Sequence, residues 1–260
     1  MSAPKLLKQL SSRHILTLTL NRPEVGNACD PGLLTALAAA LDEAAVDASV
    51  RVVILRGAGK HFCTGADISA TWFDGAIRFP QICKRLDDIA KPVVAVIQGS
   101  CIGGGIALAA CCDSVVAEDA AFFALPELRI GIAPGALILY VLRAMGARAV
   151  RHYLLTGERF PAAVAQQCGL VHVVASQSDL EAQVAKLVDG FLLGAPHASA
   201  KVKAALKKYG DTMIGDDAIN AMEALFREQS GSAEASEGRA SFREKRRPNW
   251  YPPESGAKTE

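Results

Sequence analysis

Neither sign of charge dominates this chain: 28 lysines and arginines stand against 27 aspartates and glutamates. That balance argues against nucleic acid or an anionic membrane as a main partner. The seven cysteines show no CxxC spacing, which removes the usual zinc-site and disulfide-framework readings and leaves reduced core thiols, the adjacent Cys111 and Cys112 among them. No metal-ligand spacing stands out elsewhere. The longest apolar runs stop well short of the ~20 residues that span a bilayer, so no membrane partner is expected. The opening MSAPKLLKQL lacks the apolar segment of a secretory signal, and the expected compartment is the cytoplasm. There is no internal repeat and no long linker. What remains is a 260-residue chain, 50% hydrophobic and 21% charged, with enough apolar material for a large core handling a small molecule.

The stretch Val93 to Asp113, VVAVIQGSCIGGGIALAACCD, organises the rest. Val93 to Ile97 is short and β-branched, as a fully buried strand is. Gly103, Gly104 and Gly105 follow, and then small apolar residues that read as a helix. Such a turn lets a ligand approach bare backbone N–H groups and holds developing negative charge. The same glycines also serve close packing of backbones.

Elsewhere strands alternate with helices. His14 to Leu20 and Val50 to Leu55 read as strands around a helix that starts at Asp30-Pro31, with Asp30 as N-cap. The segment HFCTGADISATWFDG reads as a functional loop carrying Trp72 and Phe73. Ile82 to Ile89 reads as a helix, Ser114 to Ala117 as a strand, and Phe122-Phe123 as extended chain leading to Leu125-Pro126-Glu127. Helices are expected over Gly135 to Met145, closed by Gly146, then over Arg148 to Leu155 and Ala162 to Cys168, before a strand at Leu170 to Val174. Ser178 and Glu181 have capping-box spacing for a helix to Leu193; His197 to Tyr209 and Asp216 to Ser230 read as further helices. This alternation predicts an α/β fold of βαβ units. The expected division is a core over 1–195 and a helical C-terminal region with a flexible tail over 196–260.

Five blocks, NRPEVGNA (21–28), HFCTGADI (61–68), GSCIGGGIALAACCD (99–113), PELRIGIAPG (126–135) and LTGERFPAAVAQQCGLV (155–171), together resemble the crotonase, or enoyl-CoA hydratase and isomerase, family. The resemblance implies a crotonase (ClpP-like) spiral of ββα and βαβ turns, followed by a helical region that forms a trimer or a dimer of trimers. It implies an acyl-CoA substrate whose thioester oxygen sits between the backbone N–H groups of Ala66 and Gly104. Fixed donors of this kind stabilise an enolate, and losing one typically costs roughly a hundredfold or more in rate. It also places Ala66, Asp67, Ile68 and Ser69 along the coenzyme, with Phe242 and Lys245 reaching it from the tail. Coenzyme A belongs to the substrate, and no separate cofactor or metal is expected.

The acid–base residues depart from the commonest family pattern. Family hydratases carry two glutamates, and the positions here are Ala107 and Glu127. Glu127 is therefore the expected acid/base, and it has no carboxylate partner with which to share a water. One glutamate resembles the isomerases; the segment 144–160 and the tail EGRASFREKRRPNW resemble hydratases of branched glutaconyl-CoA thioesters. The expected reaction is hydration of a branched enoyl-CoA, with double-bond isomerisation or thioester binding with weakened activity as alternatives. An apolar wall at 136–140 replaces the GGTQ of straight-chain hydratases. Arg78, Arg85 and Arg143 are candidates for a substrate carboxylate. Glu24-Val25 stands where relatives carry a basic residue. Cys63, His152 and His172 read as packed side chains.

Overall fold

A computed structural model describes residues 3–69, 77–210 and 214–253. The elements run β1 (Leu6–Leu10), β2 (Ile15–Leu20), α1 (Pro31–Val46), β3 (Val52–Gly57), α2 (Phe79–Asp88), β4 (Val93–Ile97), β5 (Ser100–Ile102), α3 (Gly104–Ala110), β6 (Ser114–Glu118) and β7 (Phe122–Ala124). They continue with α4 (Leu137–Thr156), β8 (Arg159–Pro161), α5 (Ala162–Gln167), β9 (Val173–Ala175), α6 (Leu180–Leu193), α7 (Pro196–Tyr209), α8 (Asp216–Ser230) and α9 (Ala233–Glu244).

Six strands form one sheet in the order β1-β2-β3-β4-β6-β9. Only β1 is antiparallel, with Leu6 opposite Leu20; the others are parallel. Parallel strands need both faces covered, so the central β3 and β4 are near-continuous apolar runs, whereas β2, nearer the edge, alternates apolar residues with threonine. In β4 every residue is buried. Val93, Ala95 and Ile97 join the core formed with α1 to α5, and Val94 and Val96 join a second core against α6. Each of these valine and isoleucine side chains contributes about 1.5–3 kcal/mol on burial. A second sheet of three strands, β5-β7-β8, stands beside the first.

Local signals explain several boundaries. The Asp30 carboxylate accepts from the Leu33 N–H at 2.8 Å, capping α1 behind Pro31. Gly146 lies inside α4 with non-helical φ 74° and ψ 158°, so two helical runs meet there, as expected. The predicted capping box at α6 is absent: Ser178 bonds Ser176 at 2.8 Å, and Glu181 pairs with Arg56 instead. A charge partner across the sheet competes successfully with a local cap.

The region after α6 behaves differently. Neither α7 nor α8 has a buried residue. Beyond Gly231, in a stretch for which the sequence named no particular helix, Ser232 caps the helix α9 through the Ala235 N–H. The chain then returns to the core. Tyr251 is buried in the second cluster, where its hydroxyl accepts from Arg13 at 2.8 Å and faces Asp189 at 3.3 Å. Residues 254–260, the end of the expected flexible tail, lie outside the described residues, as do Trp72 and Phe73. No helix among the described residues is long and apolar enough to cross a membrane.

Candidate active site

Three chain segments leave the sheets side by side. A parallel bridge joins Cys63 to Cys101, and β5 pairs in parallel with β7, Ile102 opposite Ala124. The exits of these segments are 64–66, 103–104 and 125–127. The Gly103 N–H donates to the Ala124 carbonyl at 2.9 Å, locking the second exit to the third. Sites at the carboxyl ends of parallel strands follow from this register, because every exit opens on the same side.

Bare backbone is required where the exits meet. Gly65 has φ +93°, and a Cβ there would lie 3.0 Å from the Ile102 carbonyl and 3.4 Å from the Gly104 nitrogen. Gly103 has φ +53°, and its Cβ would meet a Glu127 carboxylate oxygen at 2.7 Å. Larger residues at either position would clash as well as adopt a left-handed backbone. Among the described residues, neither the Ala66 nor the Gly104 N–H meets an acceptor. Ala66 is exposed while Gly104 is buried, with the Phe79 ring 2.7 Å from where a Gly104 side chain would begin.

Glu127 begins a 3₁₀ turn ending at Ile130, closed by Gly131 with φ +73°. The Arg129 guanidinium donates to the Thr156 carbonyl at 3.1 and 2.9 Å, tying that turn to the end of α4. One Glu127 carboxylate oxygen is buried and has no hydrogen-bond partner among the described residues. Burial lifts its carboxyl above the ordinary value, against a smaller pull from its own backbone N–H. A half-buried, underbonded carboxylate beside two free amides can take or give a proton next to a carbonyl whose oxygen the amides hold. Ala107 is 1% exposed, one turn into α3.

A family model described as enoyl-CoA hydratase/isomerase matches residues 11–253. The chain belongs to the enoyl-CoA hydratase/isomerase family. It is 34% identical over 248 residues to the 2,3-dehydroadipyl-CoA hydratase of Escherichia coli, covering 92% of this chain and 95% of that one. It is 32% identical over 251 residues to the putative enoyl-CoA hydratase/isomerase YngF of Bacillus subtilis, covering 93% and 96%. The structure described as Pseudomonas aeruginosa AtuE superposes with a TM-score of 0.88 at 32% identity, covering 95% of this chain and 99% of that chain. An enoyl-CoA hydratase from Mycobacterium smegmatis gives 0.88 at 30% identity over the same shares. The fold is thus the crotonase fold.

Within this family member the loop that follows Ala66 is built on charge. Arg22 reaches Asp67 at 3.0 Å and the Ala28 carbonyl at 2.6 Å, and Asp67 accepts from the Ser69 hydroxyl at 2.5 Å. The Ser69 bond and Arg22 outweigh desolvation and hold the Asp67 carboxyl below its ordinary range. Ile68 is 77% exposed. Glu24 and Val25 occupy an exposed 3₁₀ turn. The Arg22 network was missed in sequence because its partners lie far apart along the chain.

Other residues fall elsewhere. Phe242 is exposed near the end of α9 and Lys245 is its left-handed C-cap; α9 packs on α8 and under the Trp250 ring. Arg85 pairs with Asp42 at 2.8 Å. Arg143 pairs with Asp87 in a separate groove of about 580 Å³ that Lys203 and Lys207 also line. Arg78, next to Phe79, forms no ion pair with a described residue. His152 pairs with Glu158 at 2.5 Å. His172 accepts from the Val115 N–H at 3.0 Å, and burial pushes its pKa down. Burial likewise pushes the Cys111 and Cys112 thiols up. No group of three or more histidines, cysteines or carboxylates among the described residues is placed to hold a metal.

Proposed function

We propose that the protein is a hydratase, adding water across the α,β double bond of a branched-chain enoyl-CoA thioester. The favoured substrate is a 3-substituted glutaconyl-CoA, as arises in leucine or acyclic terpene breakdown. The observation that carries this reading is the underbonded Glu127 carboxylate beside Gly103, on the exit next to the free Ala66 and Gly104 amides. In the proposed reaction those amides hold the thioester oxygen, water adds at Cβ, and the enolate forms between them. Glu127 takes the proton from water and returns one to Cα, so a single group acts as base and then acid. Coenzyme A enters with the substrate, along Ala66 to Ser69, and no further cofactor takes part.

Two observations support an acyl group with a distal carboxylate. Arg78 beside Phe79 is the one candidate arginine of the three without an ion-pair partner among the described residues. The Escherichia coli relative is named for a dehydroadipyl thioester, which carries such a group. A second reading, double-bond isomerisation by Glu127 alone, is favoured by Ala107, because moving one proton between Cα and Cγ needs one base.

The test is direct. Purified protein is given 3-methylglutaconyl-CoA, methylcrotonyl-CoA and a 3-enoyl-CoA, and thioester absorbance and product mass are followed. Gain of one water with the glutaconyl substrate is expected. An isobaric product from the 3-enoyl thioester would instead establish the isomerase. Tight thioester binding without turnover would leave a weakened binding protein. The reading includes assembly as a trimer or dimer of trimers, with exposed Leu206, Phe226 and Phe242 on the surface available for it and Phe242 and Lys245 reaching a neighbour's coenzyme. Sedimentation equilibrium checks that part.

A further inference from the structure

Cys63 immediately precedes the loop that ends in Ala66, and it is fully buried. Its sulfur accepts from the Gly65 N–H at 3.4 Å, an i to i+2 bond like those made by Asp, Asn, Ser and Thr in turns. The Cys29 sulfur lies 3.8 Å away. Either sulfur can be the donor of that contact, and the hydrogen bond to Cys63 together with burial holds the Cys29 thiol well above the ordinary range. Cys29 also grips the loop through its backbone. Its N–H donates to the Gly65 carbonyl at 2.8 Å, and its carbonyl accepts from the Asp67 N–H at 2.8 Å.

Those bonds decide where the Ala66 amide points. In a trans peptide the C=O and N–H are opposed, so fixing the Gly65 carbonyl on Cys29 turns the Ala66 N–H away from Cys29. Among the described residues, the preceding peptide is held only by the Cys63 sulfur, which accepts from the Gly65 N–H. Without that acceptor the buried Gly65 N–H is left unsatisfied. The loop then relaxes by turning about Gly65, its most permissive residue, and carries the Ala66 N–H with it.

We propose that the Cys63 thiol, backed by Cys29, is a positioning residue that aims the Ala66 amide at the thioester oxygen. This rests on the reading of Ala66 and Gly104 as the two oxyanion donors, and the test separates the two claims. Bound 2,4-hexadienoyl-CoA serves as the reporter, since polarisation of its carbonyl shifts its absorbance and Raman bands to the red; every protein in this assay carries Glu127→Gln so that the diene is not hydrated while it is observed. The parent is expected to show the shift, Cys63→Ala to lose at least about half of it, and Cys63→Ser, which keeps an acceptor, to retain it. With Glu127 present, Cys63→Ala should lower kcat about tenfold or more with KM nearly unchanged. If the alanine variant does not fold, Cys63→Val refills the volume without an acceptor and carries the same expectation. An alanine or valine variant with full red shift and full kcat overturns the proposal, as does a serine variant that loses as much as alanine. A parent with no red shift overturns the oxyanion reading itself.

Discussion

The Gly103-Gly104 turn and the Pro126 to Gly131 turn leave neighbouring parallel strands, yet they are built in opposite ways. The first is buried and has no side chains to contribute; what it offers is a backbone N–H. The second is half-exposed, and what it offers is one carboxylate. A backbone group depends on packing and tolerates no added atoms. A side-chain group depends on its identity and on what orients its turn. The difference predicts that substitutions in the first act through shape, and in the second through chemistry.

The largest expected effect tests the chemical turn. Glu127→Gln should lower kcat by roughly 10² to 10⁴-fold with little change in thermal midpoint, measured by steady-state kinetics and calorimetry. The pH profile belongs to the same group. Because burial raises the Glu127 pKa, base-dependent activity should rise with pH through a value above the ordinary carboxylate range of about 4.3. The linkage has the opposite sign for folding: this group's stability contribution is present below the unfolded pKa and is lost as pH rises through the folded one.

Next comes the backbone turn. Gly103→Ala adds a methyl 2.7 Å from the Glu127 carboxylate oxygen at φ +53°, so it should move that carboxylate and lower kcat by about 10 to 100-fold. If the variant keeps full activity, the two turns do not share a site. The smallest effect should come from Arg129→Ala, which frees the second turn from the Thr156 carbonyl. A loss of about three- to tenfold in kcat is expected, with a shifted pH limb as the sign that Glu127 itself has moved. An unchanged limb with a lower thermal midpoint would make Arg129 purely structural.

Much of the fold was legible because its signals are local. Asp30-Pro31 marks the start of α1, Gly146 the break inside α4, and the run VVAVI a strand buried on both faces. Strands β5 and β8 were not legible, since three residues carry no periodicity. Nor was β1, of which only Leu6 is buried. The capping box at Ser178 failed because Glu181 had a better partner in Arg56. In the candidate site, Glu127, Ala66 and Gly104 could be proposed from their blocks. The Arg22–Asp67 pair and the Cys29–Cys63 pair could not, since residues 45 and 34 apart meet only in the fold.

By itself, then, the sequence determined which groups are available: one carboxylate at Glu127, an alanine at 107, and glycines where a side chain would not fit. These are properties of residue type and need no partner to be true. Only the tertiary structure decided which of them meet. The parallel pairing of Cys63 with Cys101 and of Ile102 with Ala124 sets three exits side by side, and that register is fixed by burying both faces of the sheet, a condition on the whole chain rather than on any one stretch of it.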